Sequence, residues 1–137
     1  MRVVIDTNVL ISAIFWTGKP KQLLNYVRRQ KITFVTSNQL LDELRQILIR
    51  QDKPFHLRDN EADQVVEAMR SSAEIVDSHS QLTVCHDEMD NRVIASAIDG
   101  KAEYIVTGDL HLLGLKSYQS VKIMTVSDFL RHFERSL

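Results

Sequence analysis

The sequence predicts an α/β protein: a three-layer α/β/α arrangement around a five-stranded parallel sheet, in one domain spanning residues 1–137. Three observations carry this. Short apolar runs alternate with stretches of helical periodicity along the whole chain, which implies right-handed crossovers and a parallel sheet covered on both faces. The runs are near-continuously apolar, as in strands buried on both sides. Finally, carboxylates recur just after those runs, at the edge where open α/β sheets form their ligand crevices.

At 137 residues the chain can bury a core without disulfide staples. Its single cysteine, Cys85, excludes an intramolecular disulfide and fits a reducing compartment. No apolar run approaches the ~20 residues of a membrane span, and Asp6 interrupts the N-terminal run before it could serve as a signal peptide, so a cytoplasmic protein is expected. The net charge of −1 gives no global basic field. That leaves a nuclease open, because such an enzyme must itself collect carboxylates for metal.

Taken in order, Val3, Val4 and Ile5 form a first buried strand ending at Asp6, and Thr7 or Asn8 is placed to cap the helix that follows. Gly18 and Pro20 end that helix and open a second, with Leu23, Leu24 and Val27 on its apolar face. Ile32 to Thr36 reads as the second strand, and Thr36 with Gln39 has capping-box spacing for a third helix. On that helix Leu40, Leu41, Leu44, Ile47 and Leu48 form one arc; Glu43 borders it and Asp42 lies opposite, toward solvent.

Pro54 lies in a polar connection, Asn60 is placed to cap a fourth helix, and Ile75 with Val76 make a third strand. Asp77 to Cys85 has no periodicity and reads as a freely variable loop. In the next helix Val93, Ile94, Ala97 and Ile98 define an inward face that includes Asp90, with Asp87 at the N-cap and Glu88 and Asp99 facing out. Tyr104 to Thr107 form a fourth strand, followed by a turn at Gly108 and Asp109 and a short helix Leu110 to Leu115. Ile123 to Val126 complete the sheet, and a last helix buries Phe129, Leu130 and Phe133.

Asp6, Glu43, Asp90 and Asp109 thus follow four successive strands and belong at one sheet edge. Each alone is explained as a cap or a solvated acid. Together they are not, since two carboxylates ~4 Å apart repel by ~4 kcal/mol at an effective dielectric of about 20. Such a cluster binds protons or a cation, and all-oxygen ligands favour Mg²⁺ or Mn²⁺. The matching chemistry is phosphodiester hydrolysis by metal-activated water.

The segments VVIDTNVLISA, LLDEL around Glu43, DEMDN and AEYIVTGDLHLL, in this order, resemble the successive motifs of the PIN-domain family, in its branch of toxin components related to VapC-type ribonuclease toxins. The resemblance implies the fold above and a Mg²⁺- or Mn²⁺-dependent endoribonuclease. It also implies an acidic quartet at Asp6, Glu43, Asp90 and Asp109 that is both catalytic and metal-binding, with Asn8 and Thr107 as polar helpers. RNA would be the substrate and a cognate antitoxin a partner, with homo-oligomers possible in such a family and no membrane association. Where relatives carry further acids before the Asp-Asn pair this chain has Glu88 and Met89, so neither is assigned a role.

The remaining residues point less sharply. His56, His79, His86, His111 and His132 lack zinc-ligand spacing, although His86 and His111 flank the crevice. Cys85 reads as a packed small residue, and Phe15 with Trp16 as a packing pair or a base-stacking platform. Lys19, Lys21, Arg45, Arg50, Lys101 and Lys116 are candidates for a basic rim. Two rival functions share the layout: a catalytically silent module that binds RNA or a partner, and a phosphoryl-receiver domain using Asp77, for which Lys122 lies at the wrong end of its strand.

Overall fold

The structure, a computed structural model, describes residues 1–137. Along the chain run β1 (Arg2–Ile5), α1 (Thr7–Phe15), α2 (Lys19–Arg28), β2 (Thr33–Ser37), α3 (Asn38–Leu48), α4 (Asp59–Ser72) and β3 (Ala73–Val76). Then come α5 (Glu88–Asp99), β4 (Tyr104–Val106), α6 (Leu110–Leu115), β5 (Ser117–Tyr118), β6 (Val121–Met124) and α7 (Val126–Arg135). The strands form one sheet in the order β3-β2-β1-β4-β6-β5. Every pairing is parallel except that of β5 with β6. The sheet therefore has one strand more than expected. Ser117 and Tyr118 turn back through Gln119, at φ +52°, to form a two-residue antiparallel edge too short to leave a periodic signal.

Alternation across the strands builds both layers. Val3, Ile5, Phe34, Tyr104 and Val106 enter one core, which α1, α2, α3, α4 and α7 cover; Val4, Val35, Ile105 and Ile123 enter the other, beneath α5 and α6. Val3, Val4, Val35, Ile105 and Val106 are fully buried, as continuous apolar strands require.

Several local expectations shift for physical reasons. β2 runs to Ser37, which pairs with Val76, so the cap moves on by one residue: Ser37 Oγ, not Thr36, accepts from Leu40 N. Thr36 Oγ1 is left buried with no partner. Asp6 occupies the N-cap position of α1 without a side-chain cap bond, displacing Thr7 and Asn8 into the helix. Arg58, not Asn60, precedes α4, where Glu61 accepts from its N–H.

The stretch from Asp77 to Cys85 is not a free loop, and Asp99 does not simply face water. Asp99 accepts from the hydroxyls of Ser78 and Ser80 and from the N–H groups of His79 and Ser80. Burial alone would raise its pKa, but these donors hold it below the ordinary carboxylate value. Farther along, the Asn91 amide bonds both the N–H and the C=O of Cys85, at 2.8 and 2.9 Å. At the opposite sheet edge Arg2 clasps Glu74 at 2.7 Å and donates to the Gly100 carbonyl, joining β1, β3 and the end of α5.

No helix is long and apolar enough to cross a membrane. Three stability outcomes follow. Asp99→Ala lowers urea-unfolding stability by about 1–2 kcal/mol, whereas Asp42→Asn, on an exposed side chain, stays within ~0.5 kcal/mol. Gly100→Ala, whose Cβ would sit 2.5 Å from Val35 Cγ1 and 2.9 Å from the Ser96 carbonyl, costs about 1–3 kcal/mol by overpacking.

Candidate active site

The chain winds outward from β1 through β2 to β3, then returns to place β4 on the other side of β1. Sheets of this kind open a crevice where the winding reverses. Register fills it: Ile5 pairs with Val106, so Asp6 and Thr107 come abreast at the carboxyl end. Asp6 N bonds the Val106 carbonyl at 3.0 Å, and Thr107 Oγ1 donates to Asp6 Oδ2 at 2.6 Å. Thr107 Oγ1 in turn accepts from Asp109 N, at 3.0 Å. On the other flank Thr7 Oγ1 donates to Glu43 Oε2 at 2.9 Å, tying α1 to α3.

All four acids lie at this edge, but their surroundings differ. Asp6 is 9% exposed and Asp90 8%, while Glu43 and Asp109 are partly exposed. Asp109 caps α6, accepting from His111 N and Leu112 N. Asp90, in the first turn of α5, has no hydrogen-bond donor in the chain and lines a cleft of about 310 Å³ shared with Val84, Cys85, His86, Asp87, Asp109, His111 and Leu115. Burial, reinforced by the charges of Asp109, Asp87 and Asp6, pushes its pKa up to about 6. Burial also raises Asp6 and Glu43 despite their threonine bonds.

Asp6 and Asp90 both feel the charges of Asp87 and Asp109, and Glu43 those of Asp6 and Asp87, yet no three candidate ligand side chains surround a single point as metal ligands would. The hydroxyls hold Asp6 and Glu43, and the α6 cap engages Asp109. The donor set is nevertheless that of a hard cation: carboxylate oxygens, one of them desolvated and unpartnered. The Cys85 thiol is pushed up by burial and by Asp90, which disfavours the thiolate a nucleophile needs.

Of the expected helpers, Thr107 touches Asp6, whereas Asn8 is exposed and makes no bond to the acids. Thr7, read from sequence only as a cap, holds Glu43 instead. Asp87 does cap α5, accepting from Met89 N, and its charge also raises Asp6, Glu43 and Asp90. The basic rim is thinner than the six candidates suggested. Arg45 pairs with Asp63, Lys19 donates to Ser127, and Lys101 follows α5 at the opposite sheet edge. Arg50 lines a cleft with Glu43, as does Arg92, which sequence reading passed over. On the helical wheel it falls with Glu88 and Asp99 on the outer side of α5, and its side chain is exposed, so the inward-face pattern gave no signal for it. Phe15 stacks on Phe55 at 4.7 Å with Trp16 edge-on, so this pair closes the end of α1.

The strand order excludes the receiver layout, which places its second and third strands on opposite sides of the first. Residues 2–111 match the model of the PIN domain. The uncharacterized protein MJ1680 of Methanocaldococcus jannaschii is 31% identical over 98% of this chain and 93% of its own length. Among solved structures, a chain of VapBC2 from Rickettsia felis, crystallised bound to a DNA fragment from their promoter, superposes with a TM-score of 0.62 over 90% of this chain and 97% of that one, at 16% identity. With its fold, its motif order and this match over most of its length, the chain belongs to the PIN-domain family.

Proposed function

We propose that this protein is a divalent-metal-dependent endoribonuclease, the toxin component of a toxin–antitoxin pair acting in the cytoplasm. The observation that carries the reading is Asp90: a buried, unpartnered carboxylate beside Asp87 and Asp109 in an open cleft, inside the field of Asp6. A group in that state is stabilised by a cation it does not have within the chain. The toxin role rests on the family motifs and on the fold shared with VapBC2. A single unit over residues 1–137 is part of the proposal.

Asp6, Glu43, Asp90 and Asp109 would hold Mg²⁺ or Mn²⁺, which supplies Lewis-acid polarisation of the phosphodiester and lowers the pKa of attacking water. The chain's own part is positioning. Thr107 holds Asp6 Oδ2 and Thr7 holds Glu43 Oε2, which fixes the orientation of both carboxylates. The Thr107 hydroxyl also accepts from the Asp109 N–H, which links the end of β4 to the start of α6. His111, beside Asp90, offers an imidazole within the same cleft to meet substrate phosphate or base.

Incubation of structured and single-stranded RNA with Mg²⁺, Mn²⁺ or EDTA tests the reading. Cleavage is expected only with metal; cleavage undiminished by EDTA overturns the metal mechanism, and no cleavage under any metal leaves the silent binding module. Glu43→Gln and Asp90→Asn are expected to lower kcat by orders of magnitude while stability holds or rises, as repulsion is relieved. Asp42→Asn leaves cleavage intact. Retained activity in Asp90→Asn would remove Asp90 from the site.

The pH dependence has a definite sign. Asp6, Glu43 and Asp90 bind protons more readily folded than unfolded, so metal-free stability falls as pH rises from the ordinary carboxylate range of about 4 toward about 6, and levels off above. Metal must displace those protons, so Mn²⁺ affinity measured by calorimetry weakens below pH ~6 and its thermal stabilisation shrinks with it. Equal Mn²⁺ affinity at pH 5 and 7.5 would show that Asp90 is not a ligand.

A further inference from the structure

Next to the acidic cleft, between α3 and the N-terminal half of α5, lies a cavity of about 400 Å³. Of its thirteen lining residues only two are apolar. Its framework is committed. Ser96 Oγ donates to Ser37 Oγ at 2.9 Å on the floor, Asn91 is spent on Cys85, and Ser78 and Ser80 are spent on Asp99. Gln39, Gln81 and Thr83 are not: they face this cavity with side-chain donors and acceptors that have no partner in the chain.

Arg92 is the cavity's one guanidinium and Glu88 its one acid. Arg92 and Gln39 also line the neighbouring cleft that contains Glu43, so they form the shared wall between that acid and this cavity. The only ion pair Arg92 makes is with Glu88, at 3.7 Å with the two side chains 45% and 72% exposed. A pair so exposed is worth ~0–1 kcal/mol, which leaves the guanidinium free to exchange partners.

We infer that this cavity is a nucleotide subsite: it takes the RNA residue adjoining the cleaved bond, with Arg92 paired to that residue's phosphate and Gln39, Gln81 and Thr83 bonded to its ribose and base. The inference rests on the ribonuclease reading. Guanidinium matches phosphate in bidentate geometry, and free amide and hydroxyl groups can both donate to and accept from a 2′-OH. The volume is that of sites for small ligands. An edge crowded with carboxylates repels a polyanion, and a cation on the wall beside Glu43 is where that repulsion is best offset.

Three measurements test this on the intact protein. In Mn²⁺, Arg92→Gln raises KM for a short RNA about tenfold with kcat little changed, and Arg92→Lys recovers part of the loss. A methylphosphonate stepped along the RNA raises wild-type KM at one position next to the cut and has no further effect there in Arg92→Gln. In EDTA, the slope of log affinity for the same RNA against log salt falls by about one in Arg92→Gln. An unchanged KM and salt slope in a folded Arg92→Gln overturns the subsite. So does full additivity of the methylphosphonate and Arg92→Gln effects at every position. A wild type that neither binds nor cuts RNA overturns the ribonuclease reading itself, a distinguishable result.

Discussion

The hydrogen bond from Thr107 to Asp6 spans the point where the sheet reverses its winding, and the rest of the edge is placed relative to it. It depends on the β1–β4 register. A slip of one residue would turn Asp6 and Thr107 to opposite faces and would move Val4 and Ile105 out of the core they share. The same alternation that buries the strands on both sides therefore fixes which side chains meet in the crevice. Packing and the make-up of the crevice are specified here by one periodicity.

Around that bond the structure concentrates like charges and then treats them unequally. Threonine hydroxyls relieve Asp6 and Glu43, and helix N-termini take up Asp87 and Asp109. Asp90 receives no donor, although it is as buried as Asp6. In a chain selected only for stability this would be an odd choice, because asparagine has the same shape and no charge to desolvate. Functional sites routinely retain such costs. The acids that accept hydrogen bonds are held in place, and the one that accepts none keeps its oxygens free of protein partners.

Much of this was legible in the sequence because it depends on period and chemistry. β1, β2 and β4 were readable from apolar runs, and the four acids from their positions after strands. What escaped reading turns on single-residue phase or long-range pairing. Whether Thr36 or Ser37 caps α3 depends on how far β2 pairs with β3, a contact across about forty residues of chain. β5 exists only because a turn folds two residues back onto β6. Asp99 was expected to face water, whereas it is half-buried against Ser78 to Ser80 at the start of an aperiodic segment, and no local pattern announces those partners.

That segment shows why a stretch without secondary structure need not be mobile. From Ser78 to Cys85 its backbone and hydroxyls are held at two places on one helix, by Asp99 near the end of α5 and Asn91 near its start. These anchors stand eight residues apart, about two turns, so the strap runs along α5 toward Asp90. Its far end, Val84 to Asp87, then forms a wall of the acidic cleft, while its middle, Gln81 to Thr83, borders the polar cavity. The shape of both recesses thus depends on an acid that lies at the opposite end of α5 from the site. A substitution at Asp99 acts on the crevice only by loosening this strap, while Asp6, Glu43 and Asp109 keep hydrogen bonds that do not pass through it.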